Sequence, residues 1–131
     1  MQMNEESKIT WLKRVLIFKM LIVLLMWGLP TWIAPESVLK LFGETLPDPP
    51  FYMRIFGATQ IGLVFLYWLA YRNPAKNRDM IRYAVVDNTI AFLTIMGYAF
   101  TVGIINPTIW VSAGLVLFFA IAFYMLTPKA T

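Results

Sequence analysis

From Val15 to Met26 nearly every residue is Leu, Ile, Val, Phe or Met, and only Lys19 breaks the run. Three further apolar runs follow. The four segments, about Trp11–Leu29, Phe51–Tyr71, Met80–Val102 and Thr108–Leu126, each approach the ~20 residues that a helix needs to cross ~30 Å of hydrocarbon. None alternates with period two over its length, which argues against barrel strands. Composition agrees: 60% of the chain is hydrophobic and 14% charged, whereas soluble domains are about 25% charged. A chain of 131 residues has too small an interior to hide that much apolar surface from water. The sequence therefore predicts an all-α, polytopic membrane protein, with four transmembrane helices in one bundle and a single domain over residues 1–131.

Prolines punctuate the runs. Pro30 and Pro35 are expected to end the first, Pro47, Pro49 and Pro50 precede the second, Asn73-Pro74 follows it, and Asn106-Pro107 turns the third into the fourth; each disfavours helix in the residue before it. Basic residues gather on one side. Lys8, Lys13 and Arg14 precede the first span, Arg72, Lys76, Arg78 and Arg82 surround the second connection, and Lys129 lies in the tail. The opposite side holds Glu36, Glu44 and Asp48 against Lys40. The positive-inside rule then puts both termini in the cytoplasm. Net charge of +4 is thus a topology signal, and no nucleic-acid partner is expected. The first run is read as an uncleaved signal-anchor, since no small-residue cleavage site follows it. Aromatic residues form two expected interfacial belts: Trp27, Trp32, Phe51, Tyr52, Tyr98 and Trp110 outside, and Trp11, Tyr67, Trp68, Tyr71, Tyr83 and Tyr124 inside.

Between the first two spans, residues 35–42 start with Pro and are followed by Gly43, the punctuation of a short helix. Val38, Leu39, Leu41 and Phe42 give it an apolar face suited to the interface. Capping the bundle is the plain reading and a lid over a lateral ligand site the sharper one. Small residues mark where helices approach closely in lipid. Gly57, Ala58 and Gly62 on the second span, Ala91 on the third and Gly114 on the fourth are the packing candidates. The first span, poor in small residues, is expected to be the most lipid-exposed.

Asp87 lies inside the third span, where a carboxylate costs about 2.5–3.5 kcal/mol on insertion scales unless it finds a partner or water. At 1.5 Å per residue it sits roughly 10 Å from the inner edge, a depth that Lys19 matches. Lys19 is its preferred partner. Arg54, near the outer end of the second span, is the second. Gln60 and Asn88 complete an expected polar centre of Lys19, Arg54, Gln60, Asp87 and Asn88. Such a centre either serves a function or fixes helix register.

The chain holds no Cys and no His, so a structural zinc, an iron–sulfur cluster, His-ligated haem and dithiol chemistry are not expected; no metal, cofactor or catalytic residue is assigned. From Trp11 to Lys129 the chain resembles the small four-helix bacterial membrane proteins of the BphX-like group, related in pattern to DoxX-like families. The segments that carry the resemblance are Ala34–Gly43, Arg54–Gly62 with its Gly57 and Gln60, and Asp87-Asn88. It implies a multi-pass protein of the bacterial inner membrane and settles no activity. Three readings follow. The first is a non-enzymatic accessory protein whose bundle binds a hydrophobic small molecule or a partner helix. The second is a small proton-coupled transporter or channel. A membrane enzyme ranks last, because Asp87 is the one acid deep in a span and Ser112 has no evident base. A homo-oligomer or another membrane partner is compatible with each.

Overall fold

The structure, a computed structural model, describes residues 2–104 and 106–130. Within them the chain is helical. A long helix α1 (Glu5–Ile33) is followed by a short α2 (Glu36–Leu39) that runs on as a 3-10 turn, Lys40–Phe42. Three more long helices complete the bundle: α3 (Phe51–Arg72), α4 (Arg78–Thr101) and α5 (Pro107–Leu126). The four long helices are each sufficiently apolar to cross a membrane. One end of the bundle carries both chain termini; the far end carries α2 and the α4–α5 turn.

Local chemistry explains where the helices start. The Asn4 side chain accepts from Ser7 N at 2.7 Å, and Glu5 and Glu6 occupy the first turn of α1, where negative charge complements the exposed N–H groups. Asn106 does the same for α5, accepting from Thr108 N at 2.9 Å, with Pro107 in the first turn where its missing N–H is harmless.

Pro30 does not end the first span as expected. The helix runs through it to Ile33, and the chain turns extended only at Ala34, directly before Pro35. Inside a regular helix a proline ring crowds the carbonyl four residues back. Here the preceding turn, Val23–Gly28, is π-helical, with Leu29 N reaching back to Leu24 O, and this wider turn gives the ring room. The Thr31 hydroxyl donates to Trp27 O and Gly28 O, occupying carbonyls near the joint.

The short helix expected over residues 35–42 forms as α2 and its 3-10 turn. Gly43 ends it at φ 74°, a left-handed conformation that costs glycine nothing. Glu44 N bonds to Leu39 O at 3.0 Å and Gly43 N to Lys40 O at 3.1 Å, the paired closure of a Schellman turn. Leu39 is buried beneath it. Asn106 Nδ2 then donates to Gly43 O at 3.1 Å and to Glu44 Oε1 at 3.0 Å. One side chain thus caps α5 and ties α2 to its start.

The packing order differs from the expectation. α1 is central: Leu12, Val15, Leu16, Lys19 and Val23 are buried on it, against Tyr67 and Ala70 of α3 and Phe119 and Phe123 of α5. α4 packs along α5 and meets α3 only sparsely. Among the packing candidates only Gly57 marks a tight approach; a Cβ there would lie 2.3 Å from Trp32 N. Gly62 and Gly114 have open space where a Cβ would stand, Ala58 is exposed, and Ala91 is half-buried on α4. Small-residue spacing alone does not tell which side of a helix meets a neighbour.

Gly57→Ala is expected to destabilise the protein by about 1–3 kcal/mol through overpacking. Gly62→Ala is expected to be neutral or to stabilise by up to about 1 kcal/mol, since alanine is the better helix former. Thermal unfolding of both variants in one detergent compares them; equal effects would refute the close approach at Gly57.

Candidate functional site

The periodicity of α1 puts Lys19 in the middle of the bundle. Leu12, Leu16, Lys19 and Val23 follow one another at steps of four, three and four, so they share one buried stripe, and Lys19 is 3% exposed. On α4, Ile81, Ala84 and Asn88 share a stripe in the same way and are each buried. The two stripes face each other. Lys19 Nζ donates to Asn88 Oδ1 at 2.6 Å, and Asn88 Nδ2 donates to Ala84 O at 2.7 Å, which fixes the amide's orientation.

Three rings surround the amine. Lys19 Nζ lies 4.5 Å from the ring centre of Phe119, 4.6 Å from Trp27 and 5.6 Å from Tyr67. Aromatic faces carry partial negative charge and attract a cation most strongly where water is scarce. Trp27 is itself held in place, its Nε1 donating to Ser112 Oγ at 2.9 Å. Two aromatics expected in the interfacial belts, Trp27 and Tyr67, therefore turn inward. Tyr67 is 4% exposed, and its hydroxyl is buried without a hydrogen-bond partner. Such an orphaned group costs about 1–3 kcal/mol.

Lys19 and Asp87 do not form the expected ion pair. Among the described residues the ion pairs are Lys8–Glu5, Lys40–Glu36 and Arg82–Asp79. Successive helical residues point about 100° apart. When Asn88 faces the bundle interior, Asp87 must therefore stand to one side, half-buried. It lines a hollow of about 340 Å³ with Lys19, Trp27, Gln60, Asn88 and Ser112. Apolar groups from Phe56, Ala91, Ile95, Ile109 and Val116 complete the walls. Four of the five expected members of the polar centre, Lys19, Gln60, Asp87 and Asn88, thus meet at one cavity.

The fifth does not. Arg54 donates from Nη1 to Thr31 O at 3.2 Å and from Nη2 to Ala34 O at 2.7 Å. These carbonyls end α1, where a helix lacks partners and favours a cation. Arg54 is a clasp between α3 and the end of α1, separate from the polar centre.

A second hollow, about 300 Å³, follows the same α3–α4 seam toward the termini. Leu63, Leu66, Tyr67, Met80 and Tyr83 line it, with Asp79 at its edge. Tyr67 walls this hollow, and its ring lies 5.6 Å from Lys19 Nζ. Sequence reasoning missed Trp27, Tyr67 and Ser112 as parts of the site. The signal for Ser112 was its position in an otherwise apolar run; for the aromatics, belt residues and site residues look alike. Among the described residues no three His, Cys, Asp or Glu side chains group as metal ligands. Chemically, the site offers an amine, a carboxylate, two amides and a serine hydroxyl among apolar walls.

Asn88→Ala is expected to destabilise the protein by about 1–3 kcal/mol, because it leaves the buried Lys19 amine without its acceptor. Asp87→Ala, at the half-buried wall, is expected to change stability by less than half as much. Unfolding of both variants by heat in detergent measures the difference, and the reverse order would mean that Asp87 holds Lys19. Comparison with protein-family models, curated proteins and solved structures gives no match to this chain.

Proposed function

We propose that this chain is a multi-pass protein of the bacterial inner membrane, with cytoplasmic termini, whose α3–α4 cleft binds a neutral, largely apolar small molecule drawn from the bilayer. The reading is non-enzymatic. The observation that carries it is the lateral cleft itself: a seam with few contacts between its two helices, apolar walls, and Lys19, Gln60, Asp87 and Asn88 at its base. Ligand pockets usually combine an apolar lining with a few polar groups that fix orientation, in volumes of about 300–1,000 Å³. Lys19 and Asp87 bring opposite formal charges to the cavity, so a head without net charge suits it. Lys19, Gln60 and Ser112 bring hydrogen-bond donor groups to the cavity, which suits a ligand that bears a hydrogen-bonding oxygen.

The likeness to BphX-like and DoxX-like proteins belongs to the same proposal. Of its motif residues, Gly62 has open space where a Cβ would stand, and the others fall into two groups. Arg54 and Gly57 serve the joint between α1 and α3, and Gln60 and Asp87 line the cleft. The orientation rests on the basic residues around the chain termini and the α3–α4 turn.

Dodecan-2-one and dodecane separate the roles of head and tail. The ketone is expected to raise the unfolding temperature of the detergent-solubilised protein more than the alkane does. Ala91→Phe, which fills the cavity, is expected to fold and to lose the difference. Equal responses to ketone and alkane, or an unchanged response in Ala91→Phe, would sink the ligand reading.

Because the chain has no Cys, single cysteines report topology cleanly. Lys76→Cys is expected to resist a membrane-impermeant maleimide in intact spheroplasts, whereas Glu44→Cys is expected to react. The opposite pattern would invert the orientation.

A further inference from the structure

At the termini end, away from the cleft, α4 and α5 enclose a hollow of about 490 Å³. Arg78, Arg82 and Lys129 line it together with Val85, Val86 and Tyr124. The chain's tail forms one wall and is itself fixed. The Thr127 hydroxyl donates to Phe123 O at 2.6 Å, Pro128 is buried, and Lys129 N donates to Glu5 Oε2 at 3.2 Å. Lys129 is thereby held beside two arginines.

Arg78 is oriented as well. Its Nε donates to Pro128 O at 2.6 Å, which sets the guanidinium plane and directs its planar fork of donors. Nearby acids offset the group only in part. Glu5 is engaged by Lys129 N and by Lys8, and Asp79 offsets Arg82 alone, at 3.5 Å on an exposed surface. Three cations therefore face two carboxylates, Asp79 beside Arg82 and Glu5 beside Lys129, and Glu5 is shared with Lys8. Beyond them Val86 and Tyr124 present exposed apolar surface toward the middle of the bundle. This is the polarity of a phospholipid: an anion at the helix ends and hydrocarbon along the helix faces.

We propose that the hollow of Arg78, Arg82 and Lys129 binds the phosphate headgroup of an anionic membrane lipid, whose acyl chains run over Val85, Val86 and Tyr124. General attraction of basic ends to an anionic membrane surface needs no fixed geometry. A headgroup site between helices does, and the docked tail and the oriented Arg78 provide it. This inference rests on the chain spanning a bilayer and is independent of what fills the α3–α4 cleft.

The test titrates thermal unfolding of the full chain in a neutral detergent with dihexanoyl phosphatidylglycerol, dihexanoyl phosphatidylcholine or inorganic phosphate. Phosphatidylglycerol is expected to stabilise saturably, and the other two are not at matched concentration. R82Q/K129Q keeps the Arg78–Pro128 bond and is expected to bind phosphatidylglycerol about twenty-fivefold more weakly, at about fivefold for each cation removed. R82K/K129R is expected to retain binding. Should R82Q/K129Q fail to fold, K129Q alone reads the effect of one cation. An unchanged titration in the neutralised variant would overturn the site. Full stabilisation by inorganic phosphate would overturn the lipid assignment in favour of a free anion. Alkaline washing of membranes tests the bilayer reading separately, since a released protein would refute insertion whatever the titration gives.

Discussion

The buried amine of Lys19 sets the terms for the middle of the bundle. An ammonium far from water is tolerated only where nearby groups replace its solvation. Here the replacement comes from one amide oxygen and three ring faces. Those four groups belong to four different stretches of chain: Trp27 on α1, Tyr67 on α3, Asn88 on α4 and Phe119 on α5. Satisfying one side chain therefore fixes the mutual rotation of all four long helices. The same arrangement leaves Asp87 beside the centre, with an open cavity between α3 and α4.

Polar clasps do comparable work at the far end. Arg54 takes the terminal carbonyls of α1, and Asn106 joins the start of α5 to the end of α2. Neither reaches the polar centre. Both satisfy backbone groups that helix ends leave bare, at the level where the chain leaves its apolar spans. Together with Gly57 they close the bundle at one end, whereas the α3–α4 seam stays loosely packed along its side.

Much of the architecture was legible because each long helix is written as one long apolar run, of a length able to cross a membrane. The spans, the short helix after Pro35 and the helix stop at Gly43 could each be read locally. Rotation about each helix axis was harder. Counting small residues suggested an exposed α1, yet the buried stripe of Leu12, Leu16, Lys19 and Val23 makes it central. Lys19 and Asp87, matched by count along their spans, line one cavity, but such a count carries no angle, and the neighbouring Asn88 holds the amine. Arg54 was misplaced for a related reason: reach along the axis ignored the carbonyls already waiting at the end of α1. Trp27 and Tyr67 could not be told from belt aromatics by type or position in a span.

The wide turn at Val23–Gly28 has a consequence for phase. In an unbroken α-helix Trp27 would stand about 80° around the axis from Lys19, eight steps of about 100° later. A π-turn absorbs about one extra residue, leaving an effective seven steps and an offset of only about 20°. The indole thus returns to the face that carries the amine, while Thr31 and Trp32 beyond it meet Gly57 of α3. α1 therefore works as two helices on a common axis, each with its own azimuth: one indexed to the polar centre and the other to the clasp at the far end.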